Sequence, residues 1–143
     1  LIMYFKEPEK TEEAMKGGWF HSGDIGVMDD DRYITVVDRK KDMIKTGGEN
    51  VPTREVEEAI YLEKRVQEVA VIGLPDPKWV ELVTAVVVLK PGETMTAEEL
   101  IAHCRKELAA FKCPKKVFFV DALPKTPTGK ILKREMRVSF KDK

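Results

Sequence analysis

The chain has 143 residues, 43% of them hydrophobic and 35% charged, with 25 basic residues set against 25 acidic ones. That content suffices for one compact domain, or one domain carrying a piece of a neighbour, and it excludes disorder along the whole chain. The balanced charge leaves no global field for nucleic acid or an anionic membrane, so any anion recognition must be local.

The chain opens inside an apolar run, Leu1 to Phe5, without a methionine at its start, as a fragment of something longer would. Thr11 to Lys16 have helical composition, and Gly17-Gly18 should end that helix. Asp24 follows Ser22-Gly23 at the start of a strand-like run, Ile25 to Met28, where a carboxylate is ordinarily a turn or capping residue. Asp29 to Arg32 form a turn into a second strand-like run from Tyr33, so the two runs read as a hairpin. The charged stretch Asp38 to Asn50 is a joint: it leads to a short apolar run, Met43-Ile44, and then to Gly47-Gly48, where the backbone can turn or approach a ligand closely. A solvated, charged hairpin tip is the ordinary reading of such a stretch.

Pro52 can open a helix over Arg54 to Arg65, with Val56, Ala59, Ile60 and Val66 as its apolar stripe. Glu68 to Leu74 and Val83 to Leu89 are continuous apolar runs, which predicts central strands; the second is the longest such run in the chain and far too short to span a bilayer. Thr96 to Glu99 form a capping box for a helix running to about Phe111, with Leu100, Ile101, Cys104 and Leu108 toward the core. Cys104 is then a small buried apolar residue. With Cys113 it makes only two cysteines, without metal-ligand spacing, which fits reduced thiols; no leader pattern opens the chain, and the expected setting is cytoplasmic. Val117 to Val120 are a third strand, and a loop with Pro124 and Pro127 leads into a basic helix from Ile131 to about Phe140. From Asp42 onward the order is hairpin, helix, strand, strand, helix, strand, helix, which predicts an α+β domain: a short β-hairpin and a three-stranded sheet packed by helices.

His21-Ser22-Gly23-Asp24, Asp38 to Lys45, Gly47-Gly48-Glu49-Asn50, Glu55-Val56-Glu57 and Pro124 to Lys130 together resemble, in order and spacing, the carboxy-terminal portion of the AMP-forming acyl-CoA synthetases. That wider group of adenylate-forming enzymes includes nonribosomal peptide synthetase adenylation domains and firefly luciferase. The resemblance covers the whole chain. It implies that residues 1–40 are the β-rich end of a large amino-terminal domain, and residues 41–143 a mobile carboxy-terminal lid. It also implies a two-step reaction: a carboxylic acid attacks the α-phosphate of ATP, giving an acyl-adenylate and pyrophosphate, and coenzyme A then displaces AMP.

By the same resemblance Asp24 accepts hydrogen bonds from the ribose hydroxyls, Arg39 bonds ribose or phosphate oxygens, and Lys41 is the hinge. Lys130 reaches the substrate carboxylate and α-phosphate, where its work is electrostatic. Lys45 and Gly47-Gly48-Glu49 match the segment presented in the coenzyme A half-reaction, and Trp79, Phe111 and Lys115 match coenzyme A nucleotide contacts of some relatives, although core or surface roles remain open for these three. Without the family, Thr128-Gly129-Lys130 could suggest a Walker A tail, but Pro124 stands where the first glycine is required and Ile131 follows the lysine.

Three positions depart from the family pattern: Arg32 and Val80 stand where glycine is frequent, and Cys113 where a basic residue often helps hold coenzyme A. The phosphate loop, the acid pocket and most adenine contacts belong to the large domain, as does most of the binding of the Mg2+ expected with ATP. The chain alone is therefore expected to be inactive as a ligase. A lid serving a carrier protein's phosphopantetheine, and a non-catalytic interaction module, are the alternatives.

Overall fold

A computed structural model describes residues 3–141; Leu1 and Ile2 of the opening apolar run lie outside the described residues. The chain divides into two compact units, Leu1–Lys41 and Asp42–Lys143. In the first, α1 (Pro8–Ala14) is followed by a single 3-10 turn and a hairpin of β1 (Asp24–Met28) and β2 (Ile34–Arg39). The helix starts earlier than its composition suggests because Pro8 needs no backbone donor in the first turn, and it ends before the glycines. Asp29 closes the hairpin: its side chain accepts the Tyr33 N–H at 2.8 Å, and Arg32 sits at φ 67, in the left-handed region that favours glycine. The hairpin leaves Val27, Met28, Tyr33 and Ile34 exposed.

The second unit begins with the hairpin β3 (Ile44–Thr46) and β4 (Glu49–Val51), joined through Gly47 and Gly48 at φ 58 and 88. Two successive positive φ values match the twist of a tight hairpin and demand glycine or asparagine-like residues. Helix α2 (Thr53–Tyr61) is shorter than its apolar stripe implies, because Val66 already belongs to β5 (Val66–Asp76). Strand β6 (Val80–Leu89) pairs antiparallel with β5, α3 (Ala97–Glu107) crosses over, and β7 (Lys116–Phe119) joins β6 in parallel. A parallel neighbour requires such a helical crossover. Helix α4 (Lys133–Ser139) closes the unit.

The hairpin is not separate from the larger sheet. Thr46 pairs with Val80, so all the strands of this unit form one five-stranded sheet. Only β6 is central. Strand β5 lies at an edge, contrary to the expectation from its apolar run, and the edge position is what lets Pro75 remain inside it. It is apolar on both sides because both faces of the sheet are covered. Val69, Val71, Val83, Ala85 and Val87 pack with Val56, Ile60, Leu100 and Cys104 from α2 and α3. Ala70, Ile72, Leu74 and Val86 pack with Met136 of α4. Helix α3 is capped as expected, Thr96 N–H to Glu99 Oε2 at 2.8 Å and Glu99 N–H to Thr96 Oγ1 at 3.2 Å, but it ends at Glu107 rather than Phe111. Ion pairs fasten α4: Lys133 meets Glu57 and Arg137 meets Asp42, each at 2.7 Å.

Candidate functional site

The sequence-predicted residues fall on three surfaces. On the β1–β2 hairpin, Asp24 and Arg39 are register partners, and the guanidinium Nε lies 3.7 Å from the Asp24 carboxylate. Both side chains are solvent-accessible, so the pair presents an acceptor and a fixed fork of donors side by side. Lys41 is the last residue of the first unit and is exposed.

The second surface is a turn. Thr126 N–H donates to the Lys130 carbonyl at 2.8 Å, Gly129 N–H to the Thr126 carbonyl at 2.9 Å, and Lys130 N–H to Thr126 Oγ1 at 3.0 Å. Gly129 adopts φ 85, and Lys125 bridges to Ile131 across the turn. The backbone at Lys130 is thus fixed from both sides while its side chain is exposed and, among the described residues, makes no ion pair. A rigid base under a free ammonium is suited to presenting charge to an anion outside the chain.

The third surface is a pocket of about 250 Å3 lined by Thr46, Gly47, Glu49, Trp79, Ala110, Phe111 and Lys115. It brings together five of the coenzyme A candidates from three separate segments. Trp79 is positioned by the β5–β6 turn, where Asp76 Oδ1 accepts the N–H groups of Lys78 and Trp79 at 2.9 and 2.8 Å. Its ring leaves no space over Gly47: a Cβ there would sit 2.9 Å from a ring carbon. The Lys115 ammonium stands 4.6 Å from the ring centroid and that of Lys78 5.2 Å, so two cationic groups lie against the indole. Lys45, Gly48 and Lys130 do not line this pocket.

Cys113 faces inward, 4% exposed, with its thiol 3.5 Å from the Ala109 carbonyl, and burial pushes that thiol up. A side chain at this position points to the core here, so the departure from a basic residue subtracts nothing from the pocket. Nearby Lys112 is held by the Glu55 carboxylate at 2.6 and 2.8 Å. Cys104 is fully buried, and desolvation followed by the proximity of Cys113 pushes its thiol up to about 11, in keeping with a small apolar core residue. Thr46 and Glu81 were not singled out from sequence; the alternation of Ile44 and Thr46 inward around exposed Lys45 would have marked the first as a buried hydroxyl. Among the described residues no cluster of three or more His, Cys, Asp or Glu could hold a metal ion, and no helix is long and apolar enough to cross a membrane.

Comparison with known proteins matches residues 55–130 to the family described as AMP-binding enzyme C-terminal domain. Feruloyl-CoA synthase of an Amycolatopsis species is 50% identical over 137 residues, covering 96% of this chain and 28% of that protein. Long-chain-fatty-acid–CoA ligase FadD13 of Mycobacterium tuberculosis is 47% identical over 140 residues, covering 98% of this chain and 28% of the ligase. ATP-bound MatB from Rhodopseudomonas palustris superposes with a TM-score of 0.89 at 40% identity, over 98% of this chain and 28% of MatB. The chain spans little more than a quarter of the length of each of these relatives.

Proposed function

Because the chain belongs to the AMP-binding enzyme C-terminal domain family, we propose that it is the carboxy-terminal part of an ATP-dependent, AMP-forming acid–CoA ligase. Residues 1–40 are then the end of a large domain, a reading supported by the apolar side chains that the β1–β2 hairpin leaves exposed, and residues 41–143 are its lid, turning about Lys41. In the adenylating pose Asp24 accepts the ribose hydroxyls, Arg39 binds ribose or phosphate oxygens, and Lys130 offsets the negative charge that gathers on the phosphoryl oxygens. ATP, its Mg2+ and the acid rest mainly on the large domain. In the second pose Lys45 and Gly47-Gly48-Glu49 face the reaction, and Trp79, Phe111 and Lys115 receive coenzyme A by stacking and phosphate attraction.

The observation that carries this reading is the pocket, in which Gly47, Glu49, Trp79, Phe111 and Lys115 converge although they are distant in sequence. Relatives named for feruloyl and long-chain fatty acids support an acid–CoA ligase without naming the acid, whose pocket we assign to the large domain. Two free cysteines support a reducing compartment, and we place the enzyme in the cytoplasm. The test is an assay of the longer protein for AMP release that requires both a carboxylic acid and coenzyme A. AMP release that is indifferent to coenzyme A, or full ligase activity from these 143 residues alone, would overturn the reading.

A further inference from the structure

The turn that carries Lys130 is closed by its own bonds: Thr126 with Lys130, Gly129 with Thr126, and Leu132 N–H to the Pro124 carbonyl at 2.8 Å all lie within residues 124–132. Such bonds fix the shape of the turn and leave its placement on the rest of the unit to its flanks. Leu123 and Ile131 seat the segment against the core, but apolar contact is non-directional. Before the turn, Lys125 meets Glu68 with both side chains partly open to water, and a pair of that kind contributes little. After it, three residues beyond Lys130, the Lys133 ammonium lies 2.7 Å from Glu57 Oε1 and donates to Thr53 Oγ1 at 2.7 Å. Thr53 and Glu57 are one turn apart on α2, which puts hydroxyl and carboxylate on one face. Glu57 Oε1 also accepts the Val71 N–H of the edge strand β5 at 2.8 Å. Lys133 and Glu57 are only 16% and 18% exposed, and Thr53 is fully buried. One ammonium thus ties the start of α4 to α2 and, through Glu57, to β5, in a directional network so little exposed that removing one member is costly.

We infer that Lys133, held by Glu57 and Thr53, is a positioning residue for the adenylation step: it sets where the Lys130 ammonium stands and does not itself touch substrate. This rests on the reading of Lys130 above and deepens it. The Lys130 side chain is exposed and makes no ion pair among the described residues, so its reach is set by the backbone beneath it. A group that stabilises charge in the transition state must be held in place closely, since a misplacement of about 1 Å costs on the order of 100-fold. The Lys133 tether is three residues away, where α4 begins, and loosening it frees the carboxy-terminal flank of the turn. Its ammonium already has two oxygen partners and little exposure, which leaves it unsuited to be a second phosphate ligand.

The test separates the two half-reactions of the longer enzyme. Lys133→Met keeps the apolar stem and removes the ammonium; kcat for acid-dependent pyrophosphate exchange should fall about 10- to 100-fold, while KM for ATP and the rate of thioester formation from supplied acyl-adenylate stay within about twofold. Lys133→Arg, which can keep the ion pair with Glu57, should recover most of the exchange rate. Glu57→Gln retains an oxygen for the Val71 N–H and should give the same selective loss at about three- to tenfold, so the test does not depend on Lys133→Met folding. In a Lys130→Ala background, Lys133→Met should cost nothing further, because the ammonium it positions is gone. Unchanged exchange in both Lys133→Met and Glu57→Gln overturns the inference. So does parallel loss in the two half-reactions, which marks a structural role, and so does a full further loss in the Lys130→Ala background, which marks Lys133 as acting on its own. If Lys130→Ala alone leaves exchange intact, the reading of Lys130 falls and this inference with it.

Discussion

One carboxylate oxygen of Glu81 accepts the backbone N–H of Lys45 at 2.7 Å, across 36 positions of sequence. Strands β3 and β6 share a single register pair, Thr46 with Val80, and Gly47 N–H adds one bond to the Trp79 carbonyl at 2.9 Å. Glu81 is therefore a main tether of the glycine hairpin to the sheet. It also explains Gly73, because a Cβ there would lie 2.9 Å from the same carboxyl group. Glu81→Ala should raise amide exchange at Lys45 about tenfold, while Glu81→Gln, which keeps an acceptor oxygen, should stay near the parent. Equal protection in the parent and Glu81→Ala would show that the tether contributes nothing.

Val80 holds φ 70 while 66% exposed, a left-handed backbone that a β-branched residue reaches only at a cost of about 1–2 kcal/mol. It closes the β5–β6 turn, where glycine would carry no such strain. Val80→Gly removes that strain and loses some stability to unfolded-chain entropy, leaving a net gain of about 1 kcal/mol. Thermal melting should therefore shift upward, with Val80→Ala gaining less. A lower melting temperature for the glycine variant would mean that Val80 packs in a way its exposure does not suggest.

Gly47 and Gly48 separate steric from conformational demands. Both have positive φ, but a Cβ at Gly47 meets the Trp79 ring whereas one at Gly48 meets nothing within 4 Å. Alanine at Gly48 should cost about 1–2 kcal/mol of stability through backbone strain, and alanine at Gly47 more, because the Trp79 ring must also shift. Only Gly47→Ala should shift the emission of Trp79, read in a Trp19→Phe background. In the longer enzyme it should slow thioester formation more than adenylation, and a selective loss of adenylation would reverse the assignment of this edge.

Lys130→Ala leaves the turn intact, since that turn is held by backbone groups and by Thr126. In the longer enzyme, acid-dependent pyrophosphate exchange should fall about 100- to 1,000-fold, in line with removal of one group that stabilises developing charge. Thioester formation from supplied acyl-adenylate should be nearly unaffected. Parallel loss in both assays would place Lys130 in structure and not in the first half-reaction.

These positions show what was legible before any coordinates. The capping box of Thr96 and Glu99, the two hairpins and the buried stripe of α2 are local patterns, and local spacing determines them. The edge placement of β5, the joining of β3 to β6 and the inward turn of Cys113 depend on pairings between distant segments, which no local window contains. The same holds for the site. Motif order pointed to Trp79, Phe111 and Lys115 through resemblance, yet their convergence with Thr46 comes from the single bridge between β3 and β6. Glu81 carries no local signal at all, because its partner is a backbone amide on another strand.

The Glu63, Arg65 and Glu99 cluster gives the second unit an acid-sensitive edge. The Thr96 N–H, followed by Arg65, holds the Glu99 carboxyl below its ordinary value, and the Arg65 side chain holds Glu63 below its own. Arg65 also donates to the Thr94 carbonyl at 3.1 Å, so the cluster joins the end of α2 to the start of α3. A carboxylate whose folded pKa is depressed binds its proton more readily when unfolded. Its contribution is complete above the unfolded value of 4.5 and is lost as pH falls through the folded value. Melting temperature should thus drop on acidification below about pH 4.5, within the ordinary range for glutamate. Glu99→Gln can still accept the Thr96 N–H but has no charge to lose, so its melting curve should be lower than the parent at pH 7 and converge with it by about pH 3. Coincident melting curves for the two proteins at pH 7 would show that the capping bond, and not the ionised carboxylate, supplies the stability.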